Sequence, residues 1–191
     1  MTLVKRLTAA LDLAGPDDLL PGDAGEDSTV ALREAAVLVA ITDRPEPGLI
    51  LTCRHHALRE HGGQIAFPGG RIDEGEEPRE AALREAWEEL ALDPAQVRII
   101  GLADHYRTIT GFGVTPVVAT VPPDLPLVPN PSEVADWFEA PLGFVLDPHN
   151  QHHRQAWYKG KLRSYYEIVW QGRRIWGATA AMLVNLSRRA R

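Results

Sequence analysis

The chain has 191 residues, 45% of them hydrophobic and 24% charged, with a formal net charge of −6. That size suits one globular domain with a full core, and the negative balance argues against a general DNA or RNA binder. The longest aliphatic run, residues 35–41, is far too short to span a bilayer, so a membrane partner is not expected.

The first fifteen residues, MTLVKRLTAALDLAG, lack the continuous apolar run of a secretory signal, and Leu3, Leu7 and Leu11 recur at helical spacing. They read as a docking helix, followed by an Asp-, Gly- and Pro-rich loop over 12–29. The lone Cys53 cannot form an internal disulfide, which fits a reducing cytoplasm. Residues 35–41 read as a buried strand, 43–48 as a turn with two prolines, and 49–54 as the returning strand of a pair.

Residues 51–70, LTCRHHALREHGGQIAFPGG, gather Arg54, His55, His56, Arg59 and His61 just ahead of an acidic stretch. In an acidic protein such a basic cluster forms either a clamp for phosphates or a solvated counterweight to the neighbouring acids. The acidic stretch, 69–92, reads GGRIDEGEEPREAALREAWEELAL and runs from a glycine turn into a helix with Pro78 at its first position. At about 100° per residue, Leu83, Ala86, Trp87 and Leu90 share one side, the packing face, and Glu85, Glu88 and Glu89 the other.

Three like charges on one stripe repel unless a cation lies among them: the stripe is either a solvated face paired with Arg79 and Arg84, or a site for a hard divalent ion such as Mg²⁺ or Mn²⁺, which carboxylate oxygens suit. In the second case Glu85 and Glu89, one turn apart, are the expected ligands, and Glu88 adds a third oxygen or polarises water. Arg84 is expected to orient the acids. Gly69 and Gly70 let backbone approach a metal or phosphate, or simply make a tight turn.

Further along, 97–105 and 114–121 read as strands around a Gly- and Thr-rich turn over 106–113, with Pro116 marking a strand start or edge. The five prolines of 122–131 predict an extended loop. Glu133 then either supplies another carboxylate to the site or precedes a short helix. Residues 147–164, with His149, His152 and His153, read as a polar loop at the pocket mouth. A hairpin over 165–176 turning at Gln171-Gly172, and a helix over 178–188, close the chain.

Gly70, Glu76, Arg84, Glu85, Ala86, Glu88, Glu89 and Leu92 occupy the positions of a longer pattern: glycine, five residues, Glu, seven residues, then Arg-Glu-apolar-any-Glu-Glu-any-Gly-apolar. The segment resembles the box of the Nudix hydrolases, with Ala91 where the family has Gly. Leu51, Thr52, Arg54, Arg59, Gly63 and the run Phe67-Pro68-Gly69-Gly70 are similar to the further signature of coenzyme A diphosphatases, with His55 in place of a small residue. Residues 130–142 and the run Ile175-Trp176-Gly177 before Thr179-Ala180 resemble later segments of that family.

The resemblance implies an α/β Nudix fold, a mixed β-sheet sandwiched between helices, over 30–191, with 1–29 as an N-terminal helix and linker packing on it. It implies Mg²⁺- or Mn²⁺-dependent hydrolysis of the diphosphate of coenzyme A or an acyl derivative, giving adenosine 3′,5′-bisphosphate and a 4′-phosphopantetheine. Glu85, Glu88 and Glu89 would hold metal; Glu88, Arg84 and Glu133 would serve catalysis; Arg54, Arg59, His61, Gly69 and Gly70 would meet substrate. The alternatives are a Nudix enzyme for another diphosphate, such as ADP-ribose or a dinucleotide, and a non-catalytic binding module. Intact acids argue against the last. The expected partner is a small molecule; a homodimer is compatible with the sequence.

Overall fold

The computed structural model describes residues 2–23, 31–56, 62–158 and 160–191. Strand β1 (Arg33–Thr42) runs parallel to β7 (Phe112–Val121) in unbroken register from Arg33↔Phe112 to Thr42↔Val121. Its other edge changes partner midway. Near the first hairpin, Ile41 faces Leu49 of antiparallel β2 (Gly48–Arg54); further down, Val37 to Ala35 face Gly69 to Arg71 of the short β4 (Gly69–Arg71). That exchange lays the glycine turn directly on the central strand.

β2 also pairs with β3 (Ile65–Ala66) and β8 (Val134–Pro141), while β5 (Arg98–Leu102) and β6 (Tyr106–Arg107) share the outer edge of β7. The result is a mixed eight-stranded sheet.

Pro116 is neither at a strand start nor on an edge: it lies inside β7, opposite Val37. Its carbonyl accepts from the Ala103 N–H at 2.9 Å, in the segment between β5 and β6. Backbone N and O of one strand residue face the same way, so the missing N–H points at a break in the neighbouring ladder, where no bond is lost.

Alternation along β1 divides the core. Ala36, Leu38 and Ala40 face helix α2 (Pro78–Leu90); Ala35, Val39 and Ile41 face α4 (Ala178–Arg189). The sheet is thus sandwiched between helices. Helix α1 (Leu3–Leu11) buries Leu7 completely on the α4 side, a burial worth about 1.5–3 kcal/mol. Arg189 holds it there, donating to the carbonyls of Ala10 at 2.9 Å and Leu13 at 3.0 Å while pairing with Asp104 at 2.6 Å.

Residues 147–164 are not a loop. β9 (His152–Tyr158) and β10 (Lys161–Trp170) form an antiparallel hairpin, extended by β11 (Arg173–Trp176) into a second, three-stranded sheet. Gln171 and Gly172 turn at φ 47° and 75°, the twist a two-residue hairpin favours. The apolar stretch after Glu133 is β8, and only Leu142–Val145 forms the short helix α3. Among the described residues, no helix is long and apolar enough to cross a membrane.

Candidate active site

Helix α2 starts with Pro78 in its first turn and the Glu80 carboxylate accepting the Glu77 N–H at 2.9 Å. It ends on Ala91 in the left-handed conformation, φ 53° and ψ 31°, the geometry its sequence position demands and for which glycine is better suited. The Ala91 N–H reaches the Trp87 carbonyl at 2.8 Å. Two carbonyls left open at this end, those of Glu89 and Leu90, accept from Asn130 at 2.8 Å and Val128 at 2.9 Å. The proline-rich segment is thereby fastened to the end of the acidic helix.

The packing face differs from the periodicity reading. Ala81, Ala82, Ala86 and Leu90 are fully buried, yet Trp87 is 53% exposed and Glu89 only 2%. Small alanines let α2 approach the sheet closely, and the buried stripe rotates toward Glu89.

Glu89 therefore lies under the site. Its Oε2 accepts from the Gly69 N–H at 3.3 Å, and Oε1 is 3.8 Å from Arg54 Nη1. Burial pushes its pKa up to about 8; Arg54 and the Gly69 N–H oppose the shift, and the charges of Glu85 and Glu133 add to it. Burial likewise raises Glu85, against the pull of Arg84, with Glu88 and Glu133 adding repulsion. A Cβ on Gly70 would fall 2.4 Å from the Glu85 carboxyl carbon, so the missing side chain is the space that carboxylate occupies.

Arg84 is the hub of the acids. Its Nε and Nη2 grip Glu76 at 2.8 and 3.0 Å, Nη2 donates to the Arg71 carbonyl at 2.9 Å, and Nη1 donates to Glu85 at 2.9 Å. Glu88, half exposed, is 3.5 Å from the same guanidinium. The bond from Arg84 holds Glu76 below the usual carboxylate range. Glu76 has a place in the sequence pattern, but it precedes the helix start at Pro78, so helical spacing does not predict its contact with Arg84. Only the turn folding back brings the two together.

Glu133 follows the fastened loop. Its carbonyl accepts from His55 at 2.7 Å and its carboxylate is 3.4 Å from Asn130 Nδ2; its charge reaches both Glu85 and Glu89. The structure thus brings Arg54, Gly69, Gly70, Arg84, Glu85, Glu88, Glu89 and Glu133 to one locality. Arg59 and His61 lie outside the described residues.

Among the described residues no three acids, histidines or cysteines already form a closed ligand cluster. Mg²⁺ does not need one, since it binds through one or two carboxylates and completes its shell with water and substrate phosphate. Two adjacent carboxylates of raised pKa, close to a third acid, form a donor set whose repulsion a divalent cation would relieve. The residues present fit Mg²⁺ or Mn²⁺.

An acid-lined helix entered by a glycine turn, on a sheet sandwiched by helices, offers donors suited to a divalent cation and to the hydrolytic chemistry such an ion supports. The NUDIX domain model matches residues 32–159, and the chain belongs to that family of hydrolases. The "Uncharacterized Nudix hydrolase NudL" of Cronobacter sakazakii is 43% identical over 161 residues, covering 84% of each chain. The solved Nudix hydrolase RenU of M. smegmatis is 27% identical with a TM-score of 0.51, over 62% of this chain and 76% of that one. A C. elegans Ap4A hydrolase, 22% identical with a TM-score of 0.50 over 56% of this chain and 80% of its own, shares the fold.

Proposed function

We propose that this Nudix hydrolase cleaves the diphosphate bond of coenzyme A or an acyl-coenzyme A, releasing adenosine 3′,5′-bisphosphate and 4′-phosphopantetheine or its acyl form. The observation that carries the reading is the junction of Arg54, Gly69 and Glu89, where Glu89 Oε1 and Oε2 meet the two other groups at 3.8 and 3.3 Å. Arg54 and Gly69 belong to the segment resembling the coenzyme A diphosphatase signature, and Glu89 to the Nudix box. Strands β2 and β4 thus bring residues of the one signature onto a carboxylate of the other.

In this reading Glu85 and Glu89 hold Mg²⁺ or Mn²⁺, which when bound neutralises phosphate charge and lowers the pKa of water. Arg54, with Arg59 and His61, takes phosphate oxygens, and a guanidinium does so through paired hydrogen bonds. Glu88 and Glu133 are the carboxylates available to accept the proton of the attacking water. Arg84 is a positioning residue: anchored on Glu76, it directs its donors to the protein and fixes Glu85. Gly69 and Gly70 keep side chains out of the approach.

The test is Glu89→Gln, which keeps shape and removes charge. Coenzyme A cleavage in Mg²⁺ or Mn²⁺ should fall by about 100-fold or more, since even outer-shell changes at metal sites cost about 10–100-fold. Near wild-type turnover would sink the ligand assignment. Running coenzyme A beside ADP-ribose and a dinucleotide, with products identified, decides the substrate. Preferential cleavage of either alternative would remove coenzyme A from the reading while leaving the chemistry.

A further inference from the structure

A cavity of about 620 Å³ opens where α4 begins, beside the second sheet. Its walls are the turn around Thr108 and Ile109, the start of α4, and the second sheet, which contributes Trp157, Arg163 and Trp176. Gln64 links it to the catalytic locality: it lines the cavity, and its carbonyl accepts from the Arg54 N–H at 2.9 Å. Arg54 in turn approaches Glu89.

The lining has three chemical features. The largely exposed Trp157 supplies a flat apolar face, and Trp176 a second ring of which one face is covered by the Arg174 guanidinium, 4.8 Å from its centroid. Arg163, half-buried and with its charge felt by Asp23, supplies a cation whose buried Nε finds no hydrogen-bond acceptor among the described residues. Arg174, also on the wall, is already bound to Glu167 and Tyr165, and Asp23 is engaged by the Tyr106 hydroxyl at 2.5 Å. Helix α4 begins here on Gly177, at φ 63° and without a side-chain cap, so its first N–H groups add to the preference for an anion.

We propose that this cavity receives the nucleotide arm of the substrate, its base against Trp157 and Trp176 and its phosphomonoester on Arg163. The proposal rests on the coenzyme A reading above. A diphosphate joins two unlike arms there. The pantetheine arm is flexible, uncharged and without a ring, and would leave the buried Arg163 Nε–H without an acceptor at a cost. The nucleotide arm brings both a ring to stack and a second phosphate outside the scissile bond.

Binding of adenosine 3′,5′-bisphosphate, adenosine 5′-monophosphate and 4′-phosphopantetheine is measured calorimetrically without metal, on the full chain and on Arg163→Gln. The wild type should prefer the bisphosphate, and Arg163→Gln should weaken it by about tenfold or more, as loss of a charge-assisted hydrogen bond predicts. The monophosphate should respond little to the substitution. Ile109→Trp, at a 40% exposed position, should block the bisphosphate sterically without disturbing the core. Bisphosphate affinity unchanged in both variants, or phosphopantetheine as the ligand the variants lose, would overturn the assignment. Bisphosphate binding in a wild type that leaves coenzyme A intact would uphold the cavity and remove the substrate, so the two readings fail separately.

Discussion

Adjacent glycines at the head of the acidic helix answer to different constraints. A Cβ on Gly69 would lie 2.4 Å from the Ala36 carbonyl oxygen and 2.6 Å from Val37 Cα, both backbone atoms of β1 that cannot yield. The atoms nearest a Cβ on Gly70 would be those of the Glu85 carboxyl group, at 2.4 Å, which a change of rotamer can withdraw. Gly69→Ala should therefore unfold or strongly destabilise the protein, by about 3 kcal/mol or more, because central strands must move apart. Gly70→Ala should leave the melting temperature nearly unchanged while lowering turnover by about tenfold or more, because Glu85 loses its place. Thermal melts and initial rates on the two variants give the comparison; equal losses of stability in both would contradict it.

At the level of elements, α2 shows where local pattern determines structure and where it does not. Its start at Pro78 is legible in the sequence; the Glu80 carboxylate that caps it and the form of its exit, with Ala91 where the family has Gly, come from the structure. Ala91 holds the left-handed conformation at φ 53° because the Trp87 and Ala86 carbonyls need donors there. That conformation costs an alanine roughly 1–2 kcal/mol, part of which glycine returns as unfolded-chain entropy. Ala91→Gly should accordingly raise stability by about 0.5–1 kcal/mol with turnover unaffected, read as a higher denaturation midpoint at constant m-value; a lower midpoint would show that the exit is not strained. The rotation of α2 was not legible, since Ala81, Ala82 and Ala86 allow a closeness to the sheet that no helical wheel reports, and that closeness buries Glu89 while turning Trp87 outward. The β9–β10 hairpin escaped for the opposite reason: every residue of β9 is exposed, so no alternation of burial marks it as a strand. Glu133 stayed ambiguous because its place depends on Val128 and Asn130 capping the distant end of α2, a contact between two segments that sequence spacing does not encode.

For the molecule as a whole, packing and chemistry pull against each other at Glu89, and pH reveals the balance. Burial pushes this carboxyl up to about 8 from an ordinary 4.5, and Glu85 is displaced in the same direction. Between those values the folded chain retains a proton that the unfolded chain has released. The metal-free protein is therefore most favoured below the unfolded value, and it loses on the order of a few kcal/mol as pH rises through the folded one. A divalent cation takes the proton's place. Added Mg²⁺ or Mn²⁺ should raise the melting temperature more at about pH 8 than at about pH 6, and binding near pH 7 should release protons. Melts with and without chelator across this range, with calorimetry in two buffers of different ionisation enthalpy, make both measurements. If the metal-free melting temperature stays flat across this window, or if metal binding releases no protons, then Glu89 is not a buried neutral acid awaiting a cation. The carboxylate would then be ionised in the folded chain, with Arg54, 3.8 Å away, as its counter-charge.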